Sequence, residues 1–274
     1  MAAIETLVDG LDHPEGVAYD PRAGVVWAGG EAGQLYRVEL DERRAEKVAR
    51  AGGFVGGIAV DADGRLAFCC SGDRSLCALV DGSVRKLVSE GLVNPNYPAF
   101  TPDGTLYFSD SGSWGQGDGR VWRLDRDGNA EVFSTAPRDF SNGLAVSPDG
   151  RWLWLVESYE PWLSRFDLES GEHERILRID GAVPDGLAIT SEGGLLISCY
   201  RPDRIYHLSR EGELETVAED PQGTLLAAPT NVCFVGERLD RVVSANLGRW
   251  HLSLMDLGLT GVLPHAPERW AVDA

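Results

Sequence analysis

Short apolar runs bounded by Gly, Pro, Asn and Asp recur along the whole chain, and no segment carries a convincing helical period. The runs fall into sets. Each set opens with a small or polar residue leading a nearly continuous apolar strand, as in Glu15-Gly16-Val17-Ala18, Gly56-Gly57-Ile58-Ala59 and Asn96-Tyr97-Pro98-Ala99. The later copies are Asn142-Gly143-Leu144-Ala145, Asp185-Gly186-Leu187-Ala188 and Thr230-Asn231-Val232-Cys233. Turns such as Asp61-Ala62-Asp63-Gly64 and Ser147-Pro148-Asp149-Gly150 follow, with Asp and Gly at the positions a tight hairpin needs. A second strand comes next, for example Trp152-Leu153-Trp154-Leu155-Val156. A third alternates apolar and polar residues, as in Arg120-Val121-Trp122-Arg123-Leu124.

The lead residues Glu15, Gly56, Asn96, Asn142, Asp185 and Thr230 are separated by 41, 40, 46, 43 and 45 residues, a spacing that belongs to propeller blades. Apolar first strands with a small residue at their centre fit inner strands crowded around one axis. The segment from Glu5 to Leu11 resembles the outer-strand segment from Arg85 to Leu92. It therefore predicts the outermost strand of a blade whose other strands come from the carboxyl end, a closure that hides sheet edges. The expected fold is all-β: one domain, residues 1–274, forming a six-bladed β-propeller of four-stranded antiparallel blades. Residues 257–274 are left as a tail without assigned structure.

Composition narrows the partners. The chain has 274 residues, 43% of them hydrophobic, the profile of a globular protein. With 25 Lys and Arg against 43 Asp and Glu, the formal net charge is -18, which repels phosphate backbones and anionic lipid headgroups. Nucleic acid and membrane are not expected partners. The amino terminus has no basic segment followed by an apolar stretch, and no apolar run approaches the ~18 residues that span a bilayer. The five cysteines are odd in number and include no C-x-x-C pair, so they read as buried free thiols of a cytoplasmic protein.

In a propeller the inner strands all start at one face, so the six lead residues converge on the central channel. Glu15, Asn96, Asn142 and Asp185 are oxygen donors there. Two carboxylates and two carboxamides suit a hard divalent cation, calcium first, with magnesium, manganese or zinc as alternatives. The competing reading makes the same residues turn formers entering strands. Four at homologous positions, one of them the poor turn former Glu15, favour a site. The second-strand ends and the loops after them return to the same face and supply Trp114, Tyr159, Arg201 and Trp250 as candidates to hold a small organic substrate. Packing between blades is the alternative role for those aromatics. Asp61-Ala62-Asp63-Gly64 lacks the later Gly and Glu of an EF-hand and is a turn. No Gly-x-Ser-x-Gly, Walker A, dinucleotide or His-Glu-x-x-His motif occurs.

His13-Pro14-Glu15-Gly16, Pro95-Asn96, the run from Ser141 to Gly150, Pro184-Asp185-Gly186 and Pro229-Thr230-Asn231 resemble the senescence marker protein (regucalcin), gluconolactonase and luciferin-regenerating enzyme family. Nearly the whole chain is covered. The resemblance implies a six-bladed propeller with one divalent metal in its channel, held by Glu15, Asn142 and Asp185, with Asn96 beside it as ligand or substrate contact. This chain has Asn96-Tyr97 where family sugar lactonases usually have Asn-Asp, and Asn94 where Arg is frequent. A more distant likeness to strictosidine synthase-like propellers runs from Asn142 to Glu157.

The expected function is a metal-dependent hydrolase of lactones or related esters, of the 3.1.1 class. The ion polarises the carbonyl and activates water, and Asp185 or another pocket carboxylate such as Glu15 takes the proton. The alternatives are another enzyme on the same site, a phosphotriesterase-like hydrolase or a biosynthetic cyclase or isomerase, and a non-enzymatic binding propeller.

Overall fold

The computed structural model describes residues 3–274 and contains six four-stranded antiparallel sheets. The first five blades are each built from consecutive strands, with inner strands Val17–Asp20, Val55–Val60, Pro95–Phe100, Ser141–Val146 and Val183–Ile189. The sixth blade takes Pro229–Val235, Arg241–Asn246 and His251–Met255, and is completed by Ile4–Asp9 from the amino end. The expected ring closure is present: Ile4–Asp9 pairs antiparallel with His251–Met255 and covers the edge that strand would otherwise present. Among the described residues no helix is long and apolar enough to cross a membrane.

One irregularity recurs where it matters. In blades two to six the pairing of the inner strand slips between Val55 and Ile58, Pro95 and Pro98, Ser141 and Leu144, Pro184 and Leu187, and Pro229 and Val232. Every slip contains a lead residue. A bulge frees that residue from the ladder and re-aims its side chain, here toward the axis. The glycine after the lead lets neighbouring inner strands close up. A Cβ added at Gly186 would sit 2.5 Å from the Thr230 carbonyl oxygen, and Gly16 and Gly143 face the lead carbonyls of Gly56 and Asp185 in the same way.

Farther along the inner strands, Ala18, Ala59, Ala99, Ala145, Ala188 and Cys233 line the lower channel. Their small side chains leave an apolar cavity of about 150 Å³ there. Residues 257–274 cross its far mouth. Gly261 bridges to Thr190, the Val262 amide donates to the Ile189 carbonyl, and His265 Nε2 lies 2.9 Å from the Ser147 carbonyl oxygen. Trp270 anchors the far end. It is 1% exposed, packs edge-on to Phe100 and donates its indole N–H to Asp61 Oδ2 at 2.7 Å. The same Asp61 carboxylate caps the Asp61-to-Gly64 turn by accepting from the Asp63 and Arg65 amides, the role expected of a hairpin residue. Trp270→Ala removes a buried ring and one donor to Asp61, which keeps Arg65 as its ion-pair partner, so it should lower stability by about 3–5 kcal/mol, chiefly through the cavity. Urea denaturation checks this, and an unchanged midpoint would show that the Trp270 anchor contributes nothing to the ring.

The five cysteines are free thiols, four buried and Cys233 half-buried.

Candidate metal and substrate site

At the face where the inner strands begin, a pocket of about 590 Å³ opens on the axis. Glu15, Gly56, Asn96, Asn142 and Asp185 all line it, so five of the six lead residues meet there. The sixth, Thr230, instead ties blade six to blade one, its hydroxyl donating to the Glu15 backbone carbonyl at 2.8 Å. Glu15, Asn142 and Asp185 are 4%, 2% and 6% exposed. Each of the four oxygen donors keeps one buried oxygen with no hydrogen-bond partner: Glu15 Oε2, Asn96 Oδ1, Asn142 Oδ1 and Asp185 Oδ1.

Buried polar atoms are almost always paired, so four orphaned oxygens at one end of one channel require an explanation. A turn-forming role gives none. For Asn142 the orientation is fixed by neighbours, because its Nδ2 donates to Ser158 Oγ at 3.0 Å and Ser158 in turn donates to the Pro184 carbonyl at 2.7 Å. That leaves Oδ1 as a bare acceptor. Glu15 and Asp185 lack a cationic partner among the described residues. Burial, and then the charge of Asp185, push the Glu15 carboxyl well above its ordinary range. Burial pushes Asp185 up to about 7, with the Asn142 side chain pulling the other way. Two mutually repelling buried carboxylates and two bare amide oxygens fit a hard divalent cation, which would supply the missing positive charge and accept all four oxygens.

The four rim candidates separate into two pairs. Trp114 and Arg201 line the pocket. Tyr159 is outside the lining and packs edge-on to Trp114 at 5.3 Å, while Trp250 is 53% exposed and lies edge-on to His13 at 5.4 Å. His13 itself packs in its loop, with Nδ1 2.9 Å from the Leu247 carbonyl oxygen. Glu157 is fully buried and paired, accepting from the Asp139 amide and from Arg175. Asp12, His13 and Glu31 bring possible ligand atoms within 4.8 Å of one another, but Asp12 Oδ2 already accepts from the Ala32 amide and the Gln34 side chain.

Sequence reasoning singled out Asn94 as a departure from the family pattern but missed the rest of the wall formed two residues before the lead positions. Phe54, Asn94, Phe140 and Val183 line the pocket there. Ser158 was also missed as the group that orients Asn142. Asp110, at the start of a rim loop, has a structural part that the sequence did not reveal. It is buried and accepts from the Val93 and Asn94 amides, fixing the entry to the third inner strand.

These features define a six-bladed propeller with an oxygen-lined axial site. The profile of the SMP-30/Gluconolactonase/LRE-like region matches residues 13–245, and the chain belongs to that family. It is 30% identical over 152 residues to the 6-deoxy-6-sulfogluconolactonase of Pseudomonas putida, which is 52% of this chain and 50% of that protein. The matched segments span between 34% and 55% of the curated relatives' own lengths. Among solved structures, a luciferin-regenerating enzyme superposes with a TM-score of 0.81 at 19% identity, covering 97% of this chain and 99% of that one. A regucalcin from Agrobacterium tumefaciens, described as a calcium-binding protein, superposes with a TM-score of 0.79 at 17% identity, covering 97% of both chains. At these identities the superpositions speak to the fold.

Proposed function

We propose that the chain is a divalent-metal-dependent lactonase, with calcium as its first-choice ion and Glu15, Asn96, Asn142 and Asp185 as the residues that hold it. The observation that carries this reading is the set of four buried, unpaired oxygens at the channel mouth. The P. putida relative supports the lactone as the substrate class. A bound divalent ion supplies Lewis acidity toward a carbonyl oxygen and makes water a better nucleophile at neutral pH. The chain's own residues do the rest. Ser158 keeps the Asn142 amide turned so that its oxygen faces the pocket. The bulge of the fifth inner strand holds Asp185, and the hydrogen bond from the Glu15 amide to the Gly29 carbonyl holds Glu15, before substrate arrives, so little reorganisation accompanies the reaction. Asp185 is the residue we assign to take the proton as water adds to the ester carbon, with Glu15 as its coupled partner. The apolar pocket wall limits competing water.

Elemental mass spectrometry of wild type and Asn142→Ala, followed by lactone hydrolysis before and after chelation, tests the proposal. The expected result is about one divalent ion per chain in wild type, lost in the variant, with hydrolysis that disappears on chelation and returns with calcium. Hydrolysis that is indifferent to chelation, in a protein that retains no ion, overturns it.

A further inference from the structure

The wall above the oxygen cluster is made of Phe54, Trp114, Phe140, Val183, Tyr200 and Leu247. Two of its polar side chains are already engaged. The Ser158 hydroxyl is committed to Asn142 and the Pro184 carbonyl. Arg201 is paired with Asp203 at 2.7 Å and its guanidinium lies 5.1 Å over the Tyr200 ring. Among the described residues that leaves the side chains of Ser71 and Asn94, the Tyr200 hydroxyl and the Trp114 indole N–H to recognise a substrate hydroxyl, the last two at the edges of rings whose faces are apolar.

The aromatic part is held in place. Trp114 is 51% exposed, yet Phe140 and Tyr159 meet it edge-on at 5.0 and 5.3 Å. A large exposed ring fixed by two others at a pocket mouth is a platform that a ligand completes. Phe140 adopts a φ of +65°, a left-handed conformation that disfavours a bulky side chain by about 1–3 kcal/mol. Such strain persists where the surroundings enforce it. Here the Phe140 carbonyl accepts from the Ser158 amide at 3.0 Å, next to the residue that orients Asn142.

We infer that the preferred substrate is a lactone bearing an apolar aryl or alkyl substituent, which lies against Trp114 and Phe140 while the ring carbonyl reaches the four oxygens. This rests on the lactonase reading and adds the substrate class to it. A polyhydroxylated lactone would bring several hydroxyls against a wall that is mostly ring faces and aliphatic side chains, and each hydroxyl left unpaired weakens binding. An aryl group gains from the same wall.

The test uses calcium-loaded wild type with a phenyl-substituted δ-valerolactone and glucono-δ-lactone as substrates. The corresponding non-hydrolysable cyclic ethers, a phenyl tetrahydropyran and 1,5-anhydroglucitol, serve as binding probes in calorimetric titration. The expected result is kcat/KM about 100-fold higher for the phenyl lactone and a correspondingly tighter phenyl ether. Trp114→Ala, and Trp114→Leu as a milder change, should lower that preference by about 10-fold or more, chiefly through KM. If the phenyl ether binds tightly but neither lactone is hydrolysed, the pocket assignment stands and the lactonase reading falls. If the gluconolactone is hydrolysed as well as the phenyl lactone, or the phenyl ether binds no better than the polyol, the substrate class is overturned and the lactonase reading survives.

Discussion

Asp185→Asn is expected to lower lactone hydrolysis by at least about 1,000-fold and to abolish calcium retention, while raising the melting temperature of the metal-free protein at pH 8. The loss of turnover follows from removing one of the two negative ligands, and with it several kcal/mol of transition-state stabilisation. The gain in stability follows from the same geometry. Asp185 is buried beside Glu15, and both lack a cationic partner among the described residues. In the metal-free state an uncharged isostere relieves desolvation and repulsion together. A carboxylate kept for structure behaves in the opposite way, since its loss strands the donors that it satisfied. Isothermal titration with calcium, turnover assays and calorimetric melts in chelator read the three effects. Wild-type turnover, or a lower melting temperature in chelator, would remove Asp185 from the assigned role.

The site was legible in the sequence to the extent that the repeat made it so. Glu15, Asn96, Asn142 and Asp185 share one position in a period of 40 to 46 residues, and the inner strands carry that position to one mouth of the channel. The bulges that aim Asn96, Asn142 and Asp185 were not legible. Gly143 and Gly186 read equally well as turn residues until the closeness of the next blade's carbonyl is seen. Phe54 and Phe140 lie on the approach to the strands, where Phe140 takes a left-handed backbone and simple alternation stops being a guide. Trp250 looked equivalent to Trp114 in the sequence, since both follow a second strand. Its neighbours, His13 and the loop of blade one, come from the far end of the chain and turn it to another surface. The role of the tail depends on Trp270 reaching Asp61 and Phe100, contacts between distant residues that no local pattern encodes.

The same carboxylate pair contributes to the pH dependence of the metal-free protein, as does Glu157, whose carboxyl burial also pushes up and which Asp185→Asn leaves in place. Asp185 is raised to about 7 and Glu15 well above its ordinary range, so the native state holds protons at pH values where the unfolded chain has released them. When the native state binds more protons, stability falls as pH rises. The contribution is fully present below about pH 4 and is lost as pH climbs through about 7. Carboxylates held low, such as Asp220 at about 2 under its amide and hydroxyl donors from Thr224, Leu225 and Leu226, titrate below this window. His173 lies inside it with the opposite sign: burial lowers its affinity for a proton, so its contribution rises with pH. Comparison with Asp185→Asn cancels His173, because both proteins keep it. Urea denaturation in chelator should therefore show wild type losing about 3 kcal/mol more than the variant between pH 5 and pH 8. Calcium at about 100 times its Kd should return about 2.7 kcal/mol to wild type alone at pH 8. Parallel pH profiles for the two proteins would show that burial does not hold Asp185 protonated, and a calcium response that survives in Asp185→Asn would show that this pair is not the cation site.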